Sequence, residues 1–152
     1  MNLAVAVYRF GNGLHRMGLV RAGRVVTWLN RFLFATMIPC SASIGKRFAC
    51  GYWGLGVVIH SRAVIGDDCT IAQNVTIGRN LGDERVPVIG SRVYIGAGAV
   101  VIGEISVGDD AVIGANSVVN RDVPAGAVVA GIPARLIRMK PGHAEPSRAS
   151  SA

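Results

Sequence analysis

The sequence predicts an all-β fold, a parallel β-helix of six-residue repeats, preceded by a short helical segment. From Ile59 to Ala125 every sixth residue is Ile or Val in ten of twelve cases. Seven of the ten glycines in residues 59–130 stand directly after such a position, and the residue four places after it is mostly small. A shared period of six in three residue types indicates a structural repeat.

The six-residue period has a direct geometrical meaning. One inward aliphatic, one glycine at a sharp bend and one small inward residue describe one face of a three-sided coil. Three faces make a turn of eighteen residues, and adjacent turns pair as parallel strands. We therefore expect the stacked aliphatics to form a continuous, narrow core.

The chain divides into three parts. Residues 1–36 form the helical segment, residues 37–137 the β-helix, and residues 138–152 a polar tail that we expect to be disordered. At 152 residues the chain is long enough for one domain of ordinary size.

The helical segment contains glycines that predict a break between two helices, namely Gly11, Gly13 and Gly18. The second predicted helix, residues 19–35, is amphipathic. Its apolar residues are Val25, Trp28, Leu29 and Phe32, and its cations are Arg21, Arg24 and Arg31. We expect this helix to pack on the rest of the protein or on another subunit. The alternative is peripheral contact of residues 19–35 with a membrane surface.

One stretch interrupts the pattern without losing the six-residue phase. Residues 80–86 read NLGDERV, and Asp83 occupies an inward position. Burying an unpaired carboxylate in so thin a core is costly, so we predict a loop extruded from the coil.

Composition excludes several classes of function. The net charge is +7, but no run of basic residues with interleaved aromatics occurs, so we expect no nucleic-acid partner. Three cysteines without C-x-x-C spacing predict neither disulfides nor a metal site. The N-terminus lacks the pattern of a secretory signal, which favours a cytoplasmic protein.

Two long runs carry a resemblance to a known family. IGDDCTIAQNVTIG (65–78) and PVIGSRVYIGAGAVVIGEISVGDDAVIGANSVVNRDVPAGAVVAGIPARLI (87–137) resemble the hexapeptide-repeat acetyltransferases. The similarity covers residues 38–137 and is closest to serine acetyltransferases and their relatives in surface-polysaccharide clusters. It implies a left-handed coil, a homotrimer, acetyl-CoA as co-substrate in clefts between neighbouring β-helices, and a histidine as general base.

The chain departs from the serine-specific pattern of that family. Where serine acetyltransferases have an aspartate-histidine pair, Gly51 and Tyr52 stand here. Met37 and Val86 replace two further residues of the pattern, and the loop arginine, Arg85, is retained. The run GLGVVIH instead resembles the polysaccharide-type relatives, which often have a histidine at the position of His60.

His60 is the candidate base, because it is the one histidine inside the predicted β-helix. It takes a turn position that is elsewhere glycine, and stacking every eighteen residues would align it with Gly78, Gly96 and Gly114. A bare strip of this kind has room for a thin pantetheine arm. The alternative is a surface histidine at a permissive turn.

The other candidates follow from the resemblance. Tyr52, Gln73, Asn74 and Arg85 are predicted to contact the acceptor, although asparagine at a turn also has a backbone explanation and a charged loop tip is often only solvated. Backbone contacts to acetyl-CoA are predicted at Gly78, Ala97, Gly98 and Ala115. Arg135 and Arg138 are predicted to meet its phosphates.

The sequence thus predicts an acetyl-CoA-dependent O-acetyltransferase in the cytoplasm, or at the inner face of the membrane. A sugar of a surface polysaccharide or its precursor is the preferred acceptor. One alternative is a small-molecule acceptor, in a serine O-acetyltransferase of cysteine biosynthesis. A second is a non-catalytic β-helix used for binding or assembly.

Overall fold

The computed structural model describes residues 2–82 and 85–143. Two helices, α1 (Leu3–Arg16) and α2 (Val20–Phe34), precede a series of short strands. The strands are β1 (Ser43–Ile44), β2 (Ala49–Cys50), β3 (Val58–Ile59), β4 (Val64–Ile65), β5 (Thr70–Ile71), β6 (Thr76–Gly78), β7 (Val88–Ile89), β8 (Tyr94–Ile95), β9 (Val100–Ile102), β10 (Ser106–Val107), β11 (Val112–Ile113), β12 (Val118–Val119), β13 (Ala127–Gly131) and β14 (Ala134–Met139).

The strands form a left-handed parallel β-helix of about four turns. Its three faces are three sheets: face A (β3, β6, β9, β12), face B (β1, β4, β7, β10) and face C (β2, β5, β8, β11, β13, with β14 at its end). All pairs are parallel except β13 with β14. We call the corners AB, BC and CA edges, after the two faces that each one joins.

The core confirms the six-residue pattern. All ten aliphatics predicted to point inward are buried, as are the small residues four places after them that begin with Ala63 and end with Ser117. Ala125, the last predicted member, is exposed. The chain takes a shorter path after Val119, so that Val123 pairs with Val107 and takes the inward position.

The extruded loop shifts the eighteen-residue stacking by one face. Ile77 lies opposite Val101, twenty-four residues later, because six residues are accommodated in the loop. Arg79, Leu81 and Arg85 on this loop are exposed, while Asp83 and Glu84 lie outside the described residues. The predicted alignment of His60 with Gly96 and Gly114 is therefore wrong.

Helix α1 covers the N-terminal end of the coil with polar side chains. The Tyr8 hydroxyl donates to the carbonyl of Ala42 at 2.8 Å, and the Asn12 amide donates to the carbonyl of Cys40 at 2.7 Å. Arg9 donates to the carbonyl of Ile44 at 2.6 Å. These bonds satisfy carbonyls at the open end of the first turn. The predicted helix break is found only around Gly18, which has a φ of +84°.

Helix α2 packs on the protein with its more polar side and turns its apolar side outward. It buries Gly23, Val26, Thr27 and Asn30, and the apolar residues predicted to pack on the protein point outward. Thr27 and Asn30 are held by hydrogen bonds, with Cys40 N–H donating to Thr27 at 3.1 Å and Asn30 donating to the carbonyl of Ala4 at 3.1 Å. Among residues 2–82 and 85–143 the apolar face of α2 is thus not packed against the protein.

At the C-terminal end of the coil, face C ends in the β13–β14 hairpin. Strand β14 runs to Met139, two residues past the predicted end of the β-helix, and a turn follows to His143. The remainder of the predicted tail, residues 144–152, lies outside the described residues.

Candidate functional site

The predicted site residues lie on two edges of the coil that border the same face, face A. His60, Gly78 and the extruded loop with Arg85 are at the AB edge. The CA edge holds Tyr52, Gln73, Asn74, Ala97, Gly98 and Ala115. One chain therefore contains two separate groups of candidate residues.

His60 ends β3 and lies beside Gly78 on the next turn. The backbone N–H of His60 donates a hydrogen bond to the carbonyl of Ile77 at 2.8 Å. The residue is partly buried. The Nδ1 atom accepts a hydrogen bond from the backbone N–H of Arg62 at 3.2 Å. A neutral ring in this arrangement has its proton on Nε2 and therefore presents a donor there.

Gly78 differs from the other turn glycines of the repeat. A Cβ at Gly78 would meet nothing closer than 3.9 Å, whereas a Cβ at Gly66 or Gly96 would approach backbone atoms of the next turn to 2.6 Å. Packing therefore requires glycine at those two positions and not at Gly78. The space beside Gly78 has room for a thin ligand.

Arg85 is exposed on the extruded loop and also contacts the coil. Its guanidinium forms an ion pair with Glu104, which lies at the AB edge one turn further on. Both side chains are more than half exposed, so the pair adds little to stability. It does hold the C-terminal arm of the extruded loop over the AB edge, on the same side as His60.

The CA edge is a stack of tight bends, and its side chains are small at Ala97, Gly98 and Ala115. The backbone N–H of Asn74 donates to the backbone carbonyl of Leu55 at 2.9 Å. The backbone N–H of Gly98 donates to the backbone carbonyl of Gln73 at 3.0 Å. The carbonyl of Ala97 accepts a hydrogen bond from the backbone N–H of Asn116, on the next turn, at 2.8 Å. The amide of Gly98 is thus already used, and what Gly98 offers a ligand is the absence of a side chain.

Tyr52 stands at an unusual turn, Gly51–Gly54, on the CA edge. Tyr52 and Trp53 have left-handed φ values of 46° and 57°. This backbone leaves the Tyr52 side chain 78% exposed. Trp53 makes an edge-to-face contact with Phe34 at the end of α2, with ring centroids 5.8 Å apart.

An apolar hollow of about 560 Å³ lies next to Tyr52, which sequence reasoning missed. It is lined by Phe32, Leu33, Phe34, Ala35, Tyr52, Trp53 and Leu55. The signal in the sequence was the pair of aromatics at 52–53 in a run otherwise rich in glycine. Only the contact between α2 and this turn shows that the pair forms a concave surface.

The two C-terminal arginines lie on one side of face C. In the β13–β14 hairpin Ala130 is opposite Arg135 and Val128 is opposite Arg138. A bulge between these pairs keeps both arginines on the same side of the sheet. Ala130 follows Gly114 in the stack, so Arg135 lies at the end of the CA edge, in line with Gly114.

The cysteines are structural. Cys40, Cys50 and Cys69 are buried and free, and burial raises the pKa of the Cys50 thiol to about 12. Within residues 2–82 and 85–143 no three His, Cys, Asp or Glu side chains are grouped so as to hold a metal ion.

Comparison with known proteins agrees with this architecture. Residues 87–121 match the family described as bacterial transferase hexapeptide (six repeats), and residues 62–86 match the hexapeptide repeat of succinyl-transferase. A serine acetyltransferase of Synechocystis is 40% identical over 88% of this chain, and one of Helicobacter pylori strain J99 is 40% identical over 88%. A serine acetyltransferase of Brucella abortus in complex with coenzyme A superposes with a TM-score of 0.85 at 33% identity, over 90% of this chain.

The chain is shorter than most of these proteins. It spans 54% of the Synechocystis relative, 55% of the Brucella structure and 79% of the Helicobacter relative. The matches nevertheless cover 88–90% of this chain, at an identity above the level at which only the fold is shared. From these matches we conclude that the chain belongs to the serine acetyltransferase family of hexapeptide-repeat proteins.

Proposed function

We propose that this chain is an acetyl-CoA-dependent O-acetyltransferase. The observation behind the proposal is its similarity to serine acetyltransferases over about nine tenths of the chain, including one whose structure contains coenzyme A. The chain has features that fit the cofactor: open space at Gly78, a CA edge of small residues, and Arg135 at the end of that edge. Acetyl-CoA would supply an activated acetyl group as a thioester.

Serine is the first acceptor to test. The relatives are named serine acetyltransferases, and no comparison supports the polysaccharide acceptor that the sequence analysis preferred. A sugar hydroxyl stays as the second candidate because of one observation. Gly51 and Tyr52 stand where the serine-specific pattern has aspartate and histidine, and an apolar hollow adjoins Tyr52.

The reaction needs a proton acceptor and a donor. The acceptor oxygen forms a bond to the acetyl carbon, the carbon–sulfur bond breaks, and the hydroxyl proton must leave as the thiol gains one. We assign the proton transfer to His60. For His60 to act as base at Nδ1, the hydrogen bond from Arg62 must open when the acceptor binds. If that bond persists, His60 instead donates from Nε2 to the developing oxyanion.

We further propose that the site is completed by a second copy of the chain. The AB edge and the CA edge lie on opposite borders of face A, so the two groups of candidate residues do not meet within one coil. A ring of three copies, with the AB edge of each beside the CA edge of the next, would combine them. Such a contact is heterologous and closes after three subunits.

Release of coenzyme A thiol on addition of an acceptor tests the activity. We expect release with serine to exceed release without an acceptor, and sugar hydroxyls on nucleotide- or lipid-linked carriers form the parallel series. Turnover with a sugar and not with serine would reverse the order of acceptors. If no acceptor tested stimulates release and acetyl-CoA does not bind, the non-catalytic module is the better description.

Two substitutions separate the roles of His60. In His60→Asn the amide oxygen replaces Nδ1, and in His60→Gln the amide nitrogen replaces Nε2. A base role predicts that both lower kcat/KM by about 10² to 10⁴. A donor role predicts that His60→Gln keeps most activity. His15→Gln on α1 is the control, and we expect it to match the wild type.

A further inference from the structure

Helix α2 and the turn beside it form one exposed apolar surface, which we call the apolar ledge. Its most exposed members on the helix are Phe32 at 87%, Trp28 at 63% and Leu33 at 61%. The full set is Val25, Trp28, Leu29, Phe32 and Leu33 on α2, with Tyr52, Trp53 and Leu55 on the turn. Contiguous apolar surfaces of this kind mark interaction sites.

The exposure of the ledge is fixed by how α2 packs. Gly23 approaches α1 so closely that a Cβ would lie 3.3 Å from the carbonyl oxygen of Gly11. Thr27 and Asn30 on the same side of α2 are buried and hydrogen-bonded. Rotating the helix to bury Phe32 would expose the glycine contact and break these bonds. The apolar side therefore faces outward because the other side is specifically fitted.

The distribution of charged residues along the chain indicates the kind of partner that the apolar ledge binds. The first 66 residues contain eight lysines and arginines and no aspartate or glutamate, and the first acidic residue is Asp67. The remaining 86 residues carry eight cations and nine acidic residues. The whole positive excess thus belongs to the end of the molecule that carries the ledge. On α2 itself Arg21, Arg24 and Arg31 are exposed beside the apolar side chains.

Arginine and tryptophan are combined on this surface. The Arg31 guanidinium carbon lies 5.8 Å from the centroid of the Trp28 ring, a cation–π geometry. Amphipathic helices that lie in the interface of a bilayer have this composition, with arginines on the polar side and Trp, Phe and Leu on the other. Indole and phenol rings prefer the headgroup level of a membrane.

A second copy of the chain is a poorer partner for the same surface. Two ledges facing each other across a two-fold axis would bring the three α2 arginines of one copy against those of the other. No carboxylate in the first 66 residues is available to compensate for them. Anionic lipid headgroups supply the missing negative charge.

We propose that the apolar ledge docks the protein on the surface of an anionic bilayer, with α2 parallel to the membrane plane. No helix within the described residues is long and apolar enough to cross a bilayer, so the contact is peripheral. The ledge adjoins the CA edge at Tyr52 and, through Trp28, a hollow that reaches Ser61 beside His60. Docking would place both edges of the candidate site near the headgroups.

Tryptophan emission reports on this contact directly, because Trp28 and Trp53 are the two tryptophans of the chain and both lie on the ledge. The full chain is titrated with phosphatidylcholine vesicles and with vesicles containing phosphatidylglycerol, and flotation measures the bound fraction. We expect a blue shift and flotation with the anionic vesicles only. Binding should weaken steeply as salt is added.

Two sets of variants test the two components of the surface. Phe32→Ser with Leu33→Ser removes apolar area from exposed positions, and we expect at least a tenfold loss of partitioning. Replacing Arg21, Arg24 and Arg31 by Gln should weaken binding to anionic vesicles about a hundredfold. Tyr94→Ser on face C and Arg121→Gln at the AB edge are the controls and should bind as the wild type does. Equal thermal unfolding midpoints exclude misfolding as the cause.

The proposal is overturned if the wild-type chain neither shifts its emission nor floats with anionic vesicles. It is also overturned if Phe32→Ser with Leu33→Ser lowers the mass of the particle in solution while vesicle binding is absent. That result would assign the ledge to a contact between copies. Neither outcome depends on acetyl transfer, so the proposed enzymatic function is tested separately.

Discussion

At the residue scale, backbone conformation explains several side chains that sequence reasoning considered for the site. The bends of the BC and CA edges contain a residue with a left-handed φ, which Asn, Asp and Gly adopt most readily. Asn74 and Asn116 occupy it at the CA edge, with φ values of 59° and 54°. The turn alone is a sufficient reason for asparagine at position 74. Gln73 has no such requirement, which makes it the better acceptor candidate.

Gly78→Ala separates ligand binding from folding. The added methyl group has room and the φ of Gly78 is not in the left-handed region, so we expect stability to be unchanged or to rise by about 0.4–1 kcal/mol. If the pantetheine arm passes this point, the KM for acetyl-CoA should rise several-fold. Thermal unfolding and steady-state kinetics give the two readouts.

Gly96→Ala is the matched comparison for that substitution. Its Cβ would lie 2.6 Å from the backbone nitrogen of Ala115, so we expect the unfolding midpoint to fall. A Gly78→Ala protein that is as unstable as Gly96→Ala would contradict the open space at Gly78.

At the element scale, the BC edge carries a ladder of alternating charges. Arg47 forms an ion pair with Asp68 on the next turn. Further along the same edge, Arg92 forms an ion pair with Asp110 on the next turn, at 2.7 Å. Hydrogen bonds from these arginines lower the pKa of both carboxyls below the ordinary value of 3.8. His143 lies 3.8 Å from Asp110 and extends the ladder past the last turn.

The ladder predicts a specific loss of stability in acid. Because the carboxyl pKa values are lower in the folded chain, its stabilisation is fully present above about pH 4 and is lost as the pH falls through 3.8 and below. Urea unfolding at pH 7 and pH 3 measures the difference. Arg92→Gln should reduce it, and Arg121→Gln, an exposed arginine at another edge, should leave it unchanged. If the wild type, Arg92→Gln and Arg121→Gln lose the same free energy of unfolding between pH 7 and pH 3, the ladder is not the cause of that loss.

The extruded loop marks the limit of what the sequence could predict for the elements. The six-residue period predicts the strands, the inward residues and the small residues, because each depends only on local spacing. Stacking depends on how many residues make a whole turn, and six residues in the loop change that number without changing the phase. His60 and Gly96 were therefore placed on one edge by spacing, while the hydrogen-bonded register places them on two.

At the scale of the whole molecule, the two-edge arrangement predicts complementation between inactive subunits. His60→Asn disables the AB edge under either role of His60, and Ala115→Phe adds bulk to the CA edge at an exposed position. If each site combines two copies, mixing the two variants in a three-membered ring should restore about a quarter of the wild-type activity. The measurement is activity of the co-expressed mixture, with Ala125→Phe at the BC edge as the steric control. No recovery would mean that each site is formed within one chain.

The orientation of α2 also could not be predicted from its sequence. Its hydropathy pattern gives the correct two sides but not which one faces the protein. That choice is made by Gly23, Thr27 and Asn30, whose fit to α1 and to Cys40 becomes apparent only in three dimensions. The same limit applies to the hollow beside Tyr52, which depends on where α2 ends.

The closure of the coil at both ends has a consequence for solubility. The last turn of a parallel solenoid has unpaired backbone groups that can pair with a turn of another molecule. An uncovered end therefore favours end-to-end association into fibres. Tyr8, Arg9 and Asn12 occupy the carbonyls at one terminus, and the antiparallel strand β14 reverses the pairing direction at the other. These contacts hinder the end-to-end addition of further molecules, and we expect loss of α1 to promote such addition.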